Sequence, residues 1–166
     1  MNKIIFLDFD GVLNTGYYQW LLKQQGKIWQ DKYGALFDPS AVKQLERIIN
    51  ATSADIVVES SWKFLGLDAM RELWNARNLP GKIIDITPSG ISDEYLLTAD
   101  PDTMHLCKGL EIAAWLSEYG TPDTRYVIID DECVALESQS NNLILTNPFK
   151  GITKELADRT ISILNE

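Results

Sequence analysis

Histidine is almost missing from this chain: His105 is the only one among 166 residues. Cysteine is nearly as scarce, with Cys107 and Cys133 alone. A zinc centre built from several His or Cys ligands therefore cannot be assembled. A serine triad would have to use His105, and no G-x-S-x-G segment accompanies it. Two cysteines are too few for a secreted disulfide scaffold, so both read as reduced, packed thiols of a cytoplasmic protein. No apolar run approaches the ~20 residues of a transmembrane helix. The opening Met1–Asp8 has an acid straight after a short apolar run, which reads as a buried strand and not as a signal peptide. Positive charge is in deficit, with 15 Lys and Arg against 24 Asp and Glu and a formal net charge of −9. That field disfavours broad duplex nucleic-acid binding. Anionic membrane surfaces are disfavoured for the same reason. A small anion stays compatible where a local cation offsets the field.

What is present is ordinary for a folded domain: 45% apolar and 23% charged residues, a composition that excludes disorder and collagen-like classes. The length suits one domain over residues 1–166, able to bury roughly 70% of its unfolded surface without a disulfide or metal staple.

Strand and helix patterns alternate along the chain. Residues 3–8 (KIIFLD) form a continuous apolar run, as in a strand buried on both faces. Asp38-Pro39 reads as an N-cap followed by proline at the first helical position, with Val42, Leu45 and Ile49 at helical spacing. Residues 55–59 (DIVVE) read as a second strand. Leu67, Met70 and Trp74 mark a second helix, and residues 82–86 (KIIDI) a third strand. Ile112, Trp115, Leu116 and Tyr119 make a third helix, stopped by Gly120. Residues 125–129 (RYVII) read as a fourth strand, followed by a short helix around 132–137. Residues 142–146 (NLILT) give a fifth strand, and Thr153 caps a last helix. This pattern predicts an α/β domain with a doubly wound, Rossmann-like parallel sheet of about five strands. Ligands in such folds bind at the carboxyl ends of the strands, where the strand order switches.

The residues expected at those ends are rich in acid. The first strand ends in Asp8-Phe9-Asp10-Gly11, the second in Glu59-Ser60-Ser61-Trp62 and the fourth in Asp130-Asp131. Lys108 opens the third helix. Any one Asp at a strand end is commonly a turn former or a cap. Four converging carboxylates are another matter. Two like charges ~4 Å apart repel by about 4 kcal/mol at an effective dielectric of 20, in a domain whose whole stability is ~5–15 kcal/mol. A bound cation relieves that repulsion. Oxygen-only ligands point to a hard ion, and Mg²⁺ is the usual one beside phosphates. A lysine at a helix start opposes the macrodipole, and a phosphate between Lys108 and the metal would give it a reason to be there.

The elements LDFDGVLN, IVVESSW, Lys108 in CKGLEIAAWL and VIIDDE occur in that order. The set resembles the haloacid dehalogenase-like (HAD) superfamily of phosphohydrolases. The longer run from DFDGVLN through ESSWK, DITP and the K-x-x-E-I-x-x-W-L helix to IIDDE is similar to the small HAD domains grouped with Swiss army knife RNA-repair proteins. The resemblance implies an Mg²⁺-dependent phosphatase. Asp8 is then the nucleophile that forms an aspartyl-phosphate, and Asp10 the general acid and later base. Gly11 lets backbone N–H groups approach the phosphate. Ser60, or Ser61 if the strand end is off by one, binds a phosphoryl oxygen, and Lys108 neutralises charge on Asp8 and the transferring group. The metal falls to Asp8, the Asp10 carbonyl and the Asp130/Asp131 pair, with Asp131 favoured as direct ligand and Asp130 supporting it. The implied substrate is a phosphorylated small molecule, a nucleotide or a nucleic-acid terminal phosphate. An Asp at position 10 favours phosphoryl transfer over dehalogenation, because a halide leaves without an acid.

Two connections exceed the ~2–6 residues usual between α/β elements. Residues 12–37 contain Tyr17, Tyr18, Trp20, Trp29, Tyr33 and Phe37 with Lys23, Lys27 and Lys32. This segment is either a candidate lid that stacks a base or simple packing on the core. Residues 87–106 carry Asp93, Glu94, Asp100 and Asp102 and read as a solvated acidic loop. Neither connection is long enough for a full cap domain, so the cap is minimal. Two other classes compete with the phosphatase. One is a catalytically silent HAD-like binding or partner module. The other is a phosphoacceptor receiver, whose order of acids, Ser/Thr and Lys differs from that found here.

Overall fold

In the first strand, β1 (Lys3–Leu7), Ile5 and Leu7 point into one apolar cluster and Ile4 and Phe6 into another. A strand buried on both faces needs helices on both, and this alternation sets the layering. The computed structural model describes residues 2–89 and 107–166. After β1 come α1 (Gly16–Gln24), the short strands β2 (Gln30–Asp31) and β3 (Gly34–Ala35), and α2 (Pro39–Thr52). Then follow β4 (Asp55–Val58), a 3₁₀ turn (Ser61–Leu65), α3 (Leu67–Ala76), β5 (Ile83–Ile86) and α4 (Cys107–Tyr119). The chain closes with β6 (Arg125–Asp130), a second 3₁₀ turn (Glu137–Asn142), β7 (Leu143–Leu145) and α5 (Lys154–Asn165).

Five strands pair in parallel in the order β5-β4-β1-β6-β7, the doubly wound α/β arrangement expected. Leu45 and Ile48 of α2, Met70, Leu73 and Trp74 of α3, and Ala157 and Leu164 of α5 cover the face of Ile5, Ile56, Val58, Val127 and Ile129. Ile112 and Trp115 of α4 cover Ile4, Phe6, Val57 and Ile128 on the other. The order reverses between β4 and β6 around β1, so the switch point lies at the carboxyl ends of β1 and β6. Among the described residues no helix is long and apolar enough to cross a membrane.

Three expectations change. Residues 12–37 are not a bare connection but hold α1 and the β2–β3 hairpin. Thr15 caps α1, accepting from Tyr18 N–H at 3.1 Å. Arg77, at the end of α3, secures the hairpin: it donates to the Gly34 and Ala35 carbonyls at 3.0 and 3.1 Å and to Asp31 at 2.7 Å. The short helix expected around 132–137 does not form, and the nearest helical turn is Glu137–Asn142. Tertiary contacts satisfy that stretch instead. Asp130 accepts from Glu132 N–H at 2.9 Å, and Gln139 bridges Leu136 N–H and the Gly109 carbonyl, each at 2.9 Å. The Val134 carbonyl sits only 2.6 Å from where a Cβ on Gly109 would stand, so α4 packs flush against this irregular segment. Cys107 is half-buried and Cys133 exposed, not packed as expected. His105 and the acids Asp93, Glu94, Asp100 and Asp102 lie outside the described residues.

The start of α2 is tied to the loop after β1. Asp38 caps the helix through Ser40 N–H at 2.8 Å, and its other oxygen accepts from Thr15 Oγ1 at 2.6 Å. Asp38→Ala removes both bonds and leaves the buried Thr15 hydroxyl with no acceptor for its proton. It should lower unfolding free energy by about 1–3 kcal/mol, read as a reduced urea midpoint with unchanged slope.

Candidate active site

Register brings the acids together. Leu7 stands opposite Ile129 in the β1–β6 ladder, and Asp8 N–H continues it to the Ile129 carbonyl at 3.0 Å. Asp8 and Asp130 therefore leave adjacent strands at the same level. Asp8, Asp130 and Asp131 each offer a carboxylate oxygen, all within 4.8 Å of one another. Lys108, on the first turn of α4, reaches in from the far face of the sheet. Its Nζ lies 2.8 Å from Asp130 Oδ2 and 3.3 Å from Asp8 Oδ2. Asp8 and Asp130 are buried, at 4% and 1% exposure, while Asp131 is half-buried.

One ammonium among three carboxylates leaves repulsion uncompensated. Burial, reinforced by the neighbouring Asp130, pushes the Asp8 carboxyl up to about 7. Burial and Asp130 also raise Asp131. Burial alone would lower Lys108, but the carboxylates of Asp8 and Asp130 outweigh it and hold the ammonium above the ordinary lysine range. An all-oxygen donor set, crowded and short of positive charge, fits a hard divalent cation. Both oxygens of Asp130 are engaged, by Lys108 and by Glu132 N–H. Asp131 Oδ2 instead fills the space in front of Gly11, 2.4 Å from where a Cβ would stand, and Gly11 has φ +75°. Glycine is thus required at 11 by backbone conformation and by the approach of Asp131. Gly11 N–H itself donates to the Asn14 carbonyl at 3.1 Å.

The fourth acid stands apart. The Asp10 carboxylate is exposed, and it accepts from Asn14 Nδ2 at 2.6 Å and from Trp62 Nε1 at 3.2 Å. Three of the four expected carboxylates converge, and the side chain of Asp10 is turned to a separate pair of donors. Ser60 is buried just beyond β4, beside the β1 end, where its Oγ accepts from Trp62 N–H at 3.3 Å. Ser61, one residue on, is exposed.

The sequence reading overlooked two features. Lys63 is buried and donates to Glu111 Oε2 at 2.6 Å, Thr87 Oγ1 at 2.8 Å and Glu59 Oε2 at 3.3 Å. Burial drives the Glu59 carboxyl well above its usual range, with Lys63 opposing. This network ties the Ser60 turn to α4, one turn of helix past Lys108. The Glu59–Lys63 spacing was the only trace of it in the sequence. The second feature is the Asn14–Asp10–Trp62 contact, hinted at only by the Asp10–Asn14 spacing of four. The aromatic segment divides. Phe37 is buried against Phe9 and Trp62, with ring centroids 5.3 and 5.8 Å apart, while Tyr17, Trp20 and Trp29 stay exposed. A cavity of about 430 Å³ lined by Tyr17, Asp38, Phe149 and Lys150 includes none of Asp8, Asp10, Asp130 and Asp131.

The raised Asp8 carboxyl has a sign that can be measured without a ligand. Between the unfolded value near 3.8 and the folded value of about 7, the folded chain holds a proton that the unfolded chain has lost. Stability of the metal-free protein should therefore fall as pH rises across that window, by at most about 4 kcal/mol. Asp8→Asn should remove Asp8's share of the slope, leaving that of Glu59 and Asp131. It should also raise the metal-free melting temperature at pH 8 by about 2–4 °C for each kcal/mol recovered. Melting curves from pH 4 to 8 check both.

Residues 4–157 match the family described as the HAD domain in Swiss Army Knife RNA repair proteins. Comparison with curated proteins gives no match, and comparison with solved structures gives none. The match runs from β1 into α5 and takes in every acid, hydroxyl and cation described above. The chain belongs to the HAD domain family of Swiss Army Knife RNA repair proteins, and so to the HAD-like superfamily with its phosphohydrolase-type module.

Proposed function

We propose that the chain is an Mg²⁺-dependent phosphomonoesterase working through an aspartyl-phosphate. The observation that carries this reading is the buried Asp8–Asp130–Asp131 group with Lys108 set between Asp8 and Asp130. Asp8, the Asp10 carbonyl and Asp131 would hold the ion, with Asp130 locking Lys108 beside them. When bound, Mg²⁺ supplies charge that offsets the phosphate's own and polarises a phosphoryl oxygen.

The chain's residues divide the remaining work. A carboxylate oxygen of Asp8 attacks phosphorus, the ester P–O bond breaks, and Asp10 gives its proton to the departing oxygen. Water then returns a proton to Asp10 as its oxygen attacks phosphorus. The bond to Asp8 breaks, inorganic phosphate leaves and the carboxylate is restored. Lys108 faces the nucleophile throughout, and its charge stabilises negative charge on the transferring group. The Ser60 hydroxyl, still able to donate, serves a phosphoryl oxygen. Gly11 serves by keeping the space that Asp131 fills.

For the substrate, the reading is a phosphate at the end of a nucleotide or nucleic acid. The family's RNA-repair setting supports it, as do the exposed rings of Tyr17, Trp20 and Trp29, the last with Lys23 Nζ 4.6 Å from its centroid. The net charge of −9 favours a short end over a long duplex. A reducing, cytoplasmic setting suits the two free thiols.

Phosphate release from p-nitrophenyl phosphate and from 5′- and 3′-phosphorylated oligonucleotides tests this. Wild type should turn over with Mg²⁺ and stop with EDTA, and Asp8→Asn should lose about a thousandfold or more in kcat. Equal release by the two proteins, or release indifferent to EDTA, refutes the mechanism.

A further inference from the structure

Asp10 is the only acid of the motif whose carboxylate lies outside the Lys108 cluster, and what holds it is therefore informative. Two side chains do. Asn14 Nδ2 donates to Oδ1 at 2.6 Å and Trp62 Nε1 to Oδ2 at 3.2 Å. They differ in how firmly they are themselves held. The buried Asn14 Oδ1 has no partner among the described residues, so that amide is anchored at one end only. Trp62 is half-buried and braced on three sides. Its ring meets Phe9 edge-on at 5.4 Å and lies against Phe37 at 5.8 Å. Its backbone N–H bonds Ser60 Oγ. Its far edge abuts Gly34, where an added Cβ would stand 2.9 Å from Trp62 Cη2. Gly34 is in turn fixed by Arg77, the residue that secures the hairpin to α3.

We propose that Trp62 is the positioning residue for Asp10. Its indole N–H fixes one carboxyl oxygen, leaving the other to exchange a proton with the substrate, and the β2–β3 hairpin is the buttress that holds the ring. This rests on the reading of Asp10 as general acid. Asn14 can release Oδ1 by turning its amide. Trp62 cannot turn without disrupting the packing of Phe9, Phe37 and Gly34. On this view the hairpin half of segment 12–37 acts as a support, not as a moving lid.

The test is the dependence of rate on the leaving group. p-Nitrophenolate departs readily without a proton, and phenolate depends on one far more. Trp62→Phe removes the donor and keeps an aromatic ring against Phe9 and Phe37, while giving up the edge that meets Gly34, a packing loss that weighs equally on every leaving group. Assayed with Mg²⁺ on aryl phosphates from p-nitrophenyl to phenyl, it should lose about tenfold more kcat on phenyl phosphate than on p-nitrophenyl phosphate. In an Asp10→Asn background the same substitution should cost nothing further, within about twofold. A loss equal across the series, or one that adds to that of Asp10→Asn, makes Trp62 a packing residue and overturns the proposal. Wild type inactive on the whole series overturns the phosphatase reading, and the proposal with it. A readout independent of turnover is the indole N–H resonance of Trp62, assigned by its absence in Trp62→Phe. It should move upfield in Asp10→Asn and shift in Gly34→Ala, where the new methyl displaces the ring. An unmoved resonance in Asp10→Asn shows that the bond is not made in solution and refutes the proposal without any assay.

Discussion

The ammonium of Lys108 between Asp8 and Asp130 is the contact on which the rest of the site depends. It joins the ends of two neighbouring strands to a helix packed on the opposite face of the sheet. Without it, three carboxylates would face one another across a buried gap with no other cation paired to them among the described residues. With it, the group is still short of charge, as the raised Asp8 shows. The fold thus holds three acids against one another with less positive charge than they need. That repulsion opposes folding, and the sheet's two apolar clusters must offset it.

Much of this arrangement was legible before any coordinates. The five strands fall where the short apolar runs predict, most plainly the central β1, β4 and β6, because a strand buried on both faces is apolar along most of its length. The helix starts at Asp38 and Thr153 were readable because capping is local chemistry, confined to three or four residues. The convergence of Asp8, Asp130, Asp131 and Lys108 followed from topology. Once the strands are parallel, their carboxyl ends share one edge.

What escaped the reading depends on contacts between distant parts of the chain. Asp10 and Trp62 are 52 positions apart, and nothing in the spacing says that an indole N–H will meet a carboxylate. Lys63 and Glu111 are 48 apart, and each alone reads as a solvated charge on a helical face. The irregular stretch after Asp130 was misread for a related reason. Its local pattern permits a helix, and the close approach of Gly109 prevents one. Propensity gave way to packing at the place where α4 must lie near enough to deliver Lys108.

The Arg77 attachment has a consequence for how such a domain can change size. It secures the hairpin through Asp31, Gly34 and Ala35 but does not engage the turn between α1 and β2. That turn is exposed from Lys23 to Gln30, Ile28 stands 77% in solvent, and nothing lies within 4 Å of the position a Cβ on Gly26 would take. Extra chain spliced in there would be tolerated with little disturbance to the sheet. The domain thus has a port where an accessory module can be grafted while the sheet and its acidic cluster stay in register.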